Sequence, residues 1–307
     1  DGQTYRCALG KAHGTVNLRG ALEQSCNTYF VALGQILDGQ ALGTAAAELG
    51  FGTAVPIAPD LTASAGVLPT AKELQSTGQL AVFSFGQGSF TATPLQITAM
   101  MNTIAGGGTY HTPRFCYGVT DADGTLTDPF QLPAPRIVCD AATAKTLRSM
   151  LQSVVEDGIG HAAKPAGGTA AGKTGTAQKA DHKAGSYGAK RLASFVGFLP
   201  ADNPRYLIVV LVDEPTKNQY GGVVAAPVFR EIASRAITYS GAIVPDATSQ
   251  AEKDDKPDKD KGRQRGLKLS RLDVPFLAKE DVQTSRPPSM QQPGHLAKAS
   301  SRVPDVK

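Results

Sequence analysis

The sequence predicts an α+β fold, a mostly antiparallel sheet flanked by helices, and three observations carry that prediction. Apolar residues recur at helical spacing over 15–50, 93–105 and 140–158. The period then shortens: residues 193–199 and 205–212 are apolar and β-branched, joined by Pro200-Ala201-Asp202-Asn203-Pro204. An amphipathic segment follows at 223–239, with Val224, Val228, Ile232 and Ile237 near one face.

Each element has its own signal. Val16, Leu18, Ala21 and Leu22 open a helix, and Tyr29, Phe30, Leu33, Ile36 and Leu37 continue it as a second piece. Gly39 reads as the stop, and residues 41–49 as a further short helix ended by Gly50. Residues 50–78, rich in Gly, Pro, Thr and Ala, read as a long irregular loop. Thr93 suits an N-cap and Pro94 the first turn of a helix that Gly106-Gly107-Gly108 ends. Residues 109–138 hold short strands around the turn Asp123-Gly124. Ala141, Ala144, Leu147, Met150, Leu151, Val154 and Val155 mark the helix at 140–158. Residues 170–178 read as a strand, followed by a loop and then a hairpin of 193–199 with 205–212. The basic stretch 179–191 reads as a solvated hairpin loop on a cleft rim, and the helix at 223–239 packs on the sheet.

Composition narrows the class. The chain has 307 residues, with 41% apolar, 19% charged, 33 Gly and 20 Pro. That is enough apolar material for a sizeable core, and it excludes a coiled coil, a collagen and a wholly disordered chain. The longest apolar run, residues 206–212, falls far short of the roughly 18 residues a spanning helix needs. Net charge is +4. Residues 1–245 carry 18 basic and 17 acidic side chains, whereas 246–307 carry 13 and 10, so the basicity lies mostly in the tail. A nearly neutral globular part without a basic stripe argues against nucleic acid as a partner.

The sequence divides into a globular part at 1–245 and a charged tail. The run at 252–261 alternates acid and base with no apolar side chain, so 246–302 is expected to be a disordered linker. Asp1-Gly2-Gln3-Thr4 has no Met, signal peptide or anchor, and the expectation is that targeting information lies upstream.

Cysteines 7, 26, 116 and 139 form no C-x-x-C pair and are too few for a disulfide scaffold. They read as small buried residues; two bridges are possible, and the sequence leaves their formation open. His13, His111, His161, His182 and His295 show no metal spacing and read as surface or loop residues. No metal and no cofactor is expected. Gly86-Gln87-Gly88 lacks the Lys-Ser/Thr that would make it a phosphate loop.

Two motifs carry chemistry: Ser25-Cys26-Asn27 in the first helical region and Lys173-Thr174-Gly175-Thr176 on the strand before the hairpin. Ser-x-Asn alone occurs by chance about once in a chain this long, and Lys-Thr-Gly-Thr is much rarer. Together, in this order, they match two of the three signatures S-x-x-K, S-D-N and K-T-G of penicillin-binding proteins and related β-lactamases, the S-D-N here as S-C-N.

Longer segments extend the match. Residues 14–30, GTVNLRGALEQSCNTYF, resemble the second-motif region of class B penicillin-binding proteins. Phe85-Gly86-Gln87-Gly88 followed by Thr93-Pro94-Leu95-Gln96-Ile97 looks like another hallmark, and residues 171–178, AGKTGTAQ, are similar to the third motif. The landmarks cover residues 7–240. The resemblance implies the penicillin-binding-protein/β-lactamase-like transpeptidase fold and a serine D,D-transpeptidase that cross-links peptidoglycan. Such enzymes acylate a Ser with a stem peptide ending in D-Ala-D-Ala, then pass the acyl group to a neighbouring amine.

The resemblance also assigns roles. Ser25 corresponds to the Ser that relays a proton to the leaving amine. Asn27 orients the substrate amide. Lys173 places positive charge in the cleft, and the Thr174 and Thr176 hydroxyls hold the substrate carboxylate. The Thr176 backbone N–H supplies half of an oxyanion hole, a contribution of about 3 kcal/mol. Gly175 keeps the strand edge clear for the substrate. The implied partners are peptidoglycan stem peptides, β-lactams and other cell-wall synthesis proteins. The implied location is the extracytoplasmic face of a bacterial envelope, with a membrane anchor upstream.

One departure stands out. No S-x-x-K precedes Ser25, and the first 24 residues contain no Ser. The expectation is therefore a transpeptidase domain that begins after its nucleophile segment and is inactive alone. Residues 303–307, VPDVK, resemble the opening of a PASTA module. The alternatives are a non-catalytic fragment that binds peptidoglycan or division and elongation partners, and a β-lactam hydrolase or sensor on the same fold.

Overall fold

The leading periodic segment breaks into three helices, α1 (Leu18–Gln24), α2 (Asn27–Leu37) and α3 (Gly39–Glu48), in a computed structural model describing residues 4–181 and 186–240. Each break has a cause. Asn17 caps α1 by accepting from the Gly20 N–H at 2.9 Å, and Asp38 caps α3 by accepting from the Ala41 N–H at 2.8 Å. The expected stop at Gly39 is displaced by one residue. Asp38 takes the left-handed turn at φ 66°, and Gly39 opens α3 instead, where a Cβ would meet the Leu74 Cβ and carbonyl at 2.6 Å.

Residues 50–78 hold more order than a loop. β1 (Val55–Ala58) and β2 (Leu61–Ala63) pair antiparallel, and α4 (Thr77–Phe83) begins inside the segment. Pro56 hid the strand and its shortness removed any period. α5 (Pro94–Ala105) starts as expected, with Thr93 and Gln96 forming a reciprocal capping box. The Gln96 side chain is buried and does more: its Nε2 donates to the carbonyls of Gly50, Thr53 and Ala65 at 3.1, 3.3 and 2.9 Å. One amide thus pins the 50–66 excursion to α5.

Short strands follow. β3 (Thr109–Tyr110), β4 (Gly118–Thr120), β5 (Leu126–Pro129) and β6 (Arg136–Ile137) pair as β3 with β6 and β4 with β5, the latter around Asp123-Gly124. α6 (Ala141–Glu156) is capped by Asp140, which accepts from the Thr143 N–H at 2.6 Å.

The sheet comprises β7 (Ala171–Asp181), β8 (Ser186–Leu199) and β9 (Tyr206–Asp213), antiparallel in that order. It is a meander: β7 pairs with β8 from Ala171↔Phe198 to Asp181↔Ser186. Most of the expected basic loop at 179–191 is therefore strand. Its Lys179 pairs with Asp213 and Glu214 at 3.0 and 2.7 Å, and Lys190 with Glu214 at 2.7 Å. The helix expected over 223–239 is two, α7 (Gly221–Val224) and α8 (Ala226–Ser240).

Both sheet faces are covered. Phe195, Leu199, Ile208, Val210 and Val212 point to a cluster with Val155, Ala225, Phe229, Ala233 and Ile237. Val196, Phe198, Leu207 and Val209 point the other way, to Met101, Ala105 and Leu151 of α5 and α6. The strict alternation of period 2 thus fills two cores at once, with α8 on one side and α5 with α6 on the other. The tail expectations for 246–302 and 303–307 lie outside the described residues. Among the described residues no helix is long and apolar enough to cross a membrane.

Candidate active site

Lys173 stands on β7, two residues after Ala171, so its side chain leaves the sheet on the face that α5 and α6 cover. α1 reaches the same side because it is bolted to α6. The Arg19 guanidinium donates to the Ser149 carbonyl at 3.0 Å and to the Ser153 and Ser149 hydroxyls, both at 3.1 Å. The Ile159 N–H closes the other end by donating to the Glu23 carbonyl at 2.9 Å.

Ser25 ends α1 in the left-handed conformation, φ 50° and ψ 55°. A residue with a Cβ pays about 1–2 kcal/mol there. The strain reverses the chain so that Cys26 becomes the N-cap of α2 and Asn27 its first residue. The turn aims the hydroxyl at the sheet: the Lys173 Nζ donates to Ser25 Oγ at 2.9 Å, across 148 residues of sequence.

The ammonium's other partners are the Thr174 carbonyl at 3.2 Å and the Thr174 hydroxyl at 3.4 Å. None of these partners is charged. Burial therefore dominates, and the Lys173 pKa is pushed down to about 8. Such a group exchanges its proton close to neutral pH, as an acid–base catalyst needs.

The other expected site residues fall as follows. Asn27 is half-buried and its Nδ2 donates to the Arg6 carbonyl at 3.2 Å. The Thr176 hydroxyl accepts the Gly221 N–H at 3.1 Å, which leaves its own proton to donate elsewhere. Gly175 has a packing reason of its own: a Cβ there would collide with the hydroxyl of Ser194, its cross-strand partner. β7 is an outer strand of the three-stranded sheet, so one side of its backbone faces away from β8. The turn Phe85-Gly86-Gln87-Gly88 meets the β7–β8 hairpin: Gly88 N–H donates to the Tyr187 hydroxyl at 2.7 Å.

Sequence reading missed one grouping. Cys7, His13 and Cys26 bring their donor atoms within 4.8 Å of one another. The spacing of 6 and 13 residues matches no standard motif, and only the fold of the α1 segment brings the three together.

The chain is similar to known proteins in sequence and in fold. The penicillin binding protein transpeptidase domain matches residues 4–234. Stage V sporulation protein D of Bacillus subtilis is 36% identical over 235 residues, covering 76% of this chain and 36% of that protein. The peptidoglycan D,D-transpeptidase FtsI of Escherichia coli K12 is 30% identical over 241 residues, covering 78% and 38%. The crystal structure of penicillin binding protein 3 from Mycobacterium tuberculosis complexed with ampicillin superposes with a TM-score of 0.68 at 31% identity, covering 76% of this chain and 53% of that one.

The chain belongs to the penicillin binding protein transpeptidase domain family, and its fold is the α+β fold of that family. It spans about a third to a half of the length of these relatives.

Proposed function

We propose that this chain supplies the proton-relay and carboxylate-binding part of a peptidoglycan D,D-transpeptidase that β-lactams also acylate. The observation that carries the reading is the 2.9 Å contact between the Lys173 ammonium and Ser25 Oγ, with Lys173 pushed down to about 8. At neutral pH the desolvated ammonium passes a proton through the Ser25 hydroxyl to the departing amine, and Lys173 recovers it from the attacking amine in the second half-reaction. Positioned proton transfer of this kind contributes about 10²–10⁴-fold. The Thr174 and Thr176 hydroxyls bind the substrate carboxylate beside the Lys173 charge. The Thr176 N–H on β7 polarises the scissile carbonyl, and Asn27 orients the peptide amide. The place of work is the bacterial cell envelope.

The nucleophile belongs to an S-x-x-K segment that none of the 307 residues supplies. Ser25 does not replace it, because its hydroxyl accepts a hydrogen bond from a largely protonated lysine and so stays unactivated. Gel labelling with fluorescent penicillin tests the reading. The 307-residue chain is expected to stay dark, and the chain extended upstream to include S-x-x-K to label. Lys173→Ala in the extended chain should slow labelling about 10²–10⁴-fold. A long-lived adduct favours transpeptidase over hydrolase. Labelling of the short chain at Ser25, or an unaffected Lys173→Ala variant, refutes the assignment.

A further inference from the structure

We propose that Cys7, His13 and Cys26 form a zinc site that pins the Ser25-Cys26-Asn27 junction. Four observations converge. Both thiols are buried, Cys7 8% and Cys26 4% exposed. Their sulfurs lie 3.7 Å apart. His13 completes a triangle in which all three donor atoms lie within 4.8 Å of one another. The His13 Nδ1 is buried with no hydrogen-bond partner among the described residues. An orphaned buried nitrogen costs about 1–3 kcal/mol, a penalty that a metal bond removes.

The distances suit a metal. Two zinc–sulfur bonds of about 2.3 Å at a tetrahedral angle place their sulfurs roughly 3.8 Å apart. A disulfide would leave the buried imidazole nitrogen of His13 with nothing to bind. Two thiolates and one imidazole are a soft-to-borderline donor set that suits zinc and not magnesium or calcium. Three protein donors leave the fourth tetrahedral position for a water or a further ligand. The Thr28 hydroxyl lies 3.3 Å from Cys26 Sγ and 3.8 Å from Cys7 Sγ, placed to donate to a thiolate as an outer partner. Loading is balanced as Zn²⁺ plus two thiols giving the dithiolate complex and two protons.

Position gives the site its role. Cys26 lies between Ser25 and Asn27, so a metal on its sulfur anchors the backbone of both. Cys7 is in turn next to Arg6, whose carbonyl accepts from Asn27 Nδ2 at 3.2 Å. The metal straps the 7–13 segment against the α1–α2 turn and holds Ser25 in its left-handed conformation. The inference does not depend on the transpeptidase reading.

The test uses the 307-residue chain, reduced, loaded with zinc and dialysed. Elemental analysis is expected to give one zinc per chain. Replacement by cobalt(II) should give the thiolate-to-cobalt charge-transfer band of a two-thiolate site. Cys7→Ser, His13→Ala and Cys26→Ser should each weaken cobalt binding by more than the roughly 10–100-fold that an outer partner is worth. Cys116→Ser and Cys139→Ser should change nothing. Circular dichroism checks each fold, and if a variant fails to fold the wild-type cobalt spectrum decides alone. A reduced chain that keeps four titratable thiols and no metal overturns the proposal. So does a Cys7–Cys26 disulfide in a chain that retains no zinc after reduction, or zinc retained by the three ligand variants.

Discussion

Lys173 and Ser25 meet at 2.9 Å from two regions that are built differently. Lys173 stands on a strand whose neighbours, Phe195, Val196 and Phe198, fill cores on both sheet faces. Ser25 stands on a seven-residue helix ending in a strained turn, held by the Arg19 guanidinium and by the Ile159–Glu23 backbone bond. One region is positioned by apolar volume on two sheet faces, the other by a small cluster around Ala21 and Cys26 and a few directed polar contacts. Volume resists change cooperatively, whereas directed contacts can be lost singly. The proton-accepting partner therefore sits on the softer side of the pair.

The largest effect that tests this difference lies in the core between the sheet and α8. Phe229→Ala should empty a fully buried site against Phe195 and cost about 3–5 kcal/mol. Thermal unfolding should fall by roughly 10 °C. A fall of only a degree or two would deny the sheet its place as the stability centre.

Gln96 provides an intermediate case, because it holds the 50–66 segment by polarity alone. Gln96→Leu keeps the volume but leaves the carbonyls of Gly50, Thr53 and Ala65 without their donor. We expect a loss of about 1–3 kcal/mol in denaturant unfolding. A variant as stable as the parent would mean that water takes over the three carbonyls.

The smallest effect belongs to the junction. Ser25→Gly relieves the left-handed strain while Ser25→Ala keeps it, so the glycine variant should be the more stable of the two in thermal unfolding, by about 1 kcal/mol. Both lose the hydroxyl and should lose the relay equally. If Ser25→Ala is the more stable, the turn is not strained in solution.

Much of the sheet was legible because burial on two faces leaves an unmistakable trace, the apolar β-branched runs that became β8 and β9. The helix start at Thr93 was legible because capping is local chemistry, and the helix at 140–158 because its apolar face keeps the helical period. The β1–β2 hairpin was not, since Pro56 and strands of four and three residues leave no period. Nor was the division of the last helix into α7 and α8, which tertiary packing governs: a Cβ at Gly221 would collide with the Ser194 and Gly175 carbonyls. In the site, Ser25 and Lys173 were readable as motifs. Their contact and the Cys7–His13–Cys26 triangle required α1 to be docked on α6, which no local signal encodes.

The relay depends on Lys173 as a desolvated acid held against Ser25. Its pKa lies below the ordinary 10.5 in the folded chain, so between about pH 8 and 10.5 the unfolded chain binds more protons. The cost of burying the ammonium is fully present below pH 8, and it is relieved as pH rises toward 10.5. The direct measurement is an NMR titration of lysine side chains in the 307-residue protein, with the Lys173 signal assigned by its loss in Lys173→Met. A midpoint near pH 8 is the expected result. A midpoint near 10.5, that of a solvated lysine, would contradict the relay.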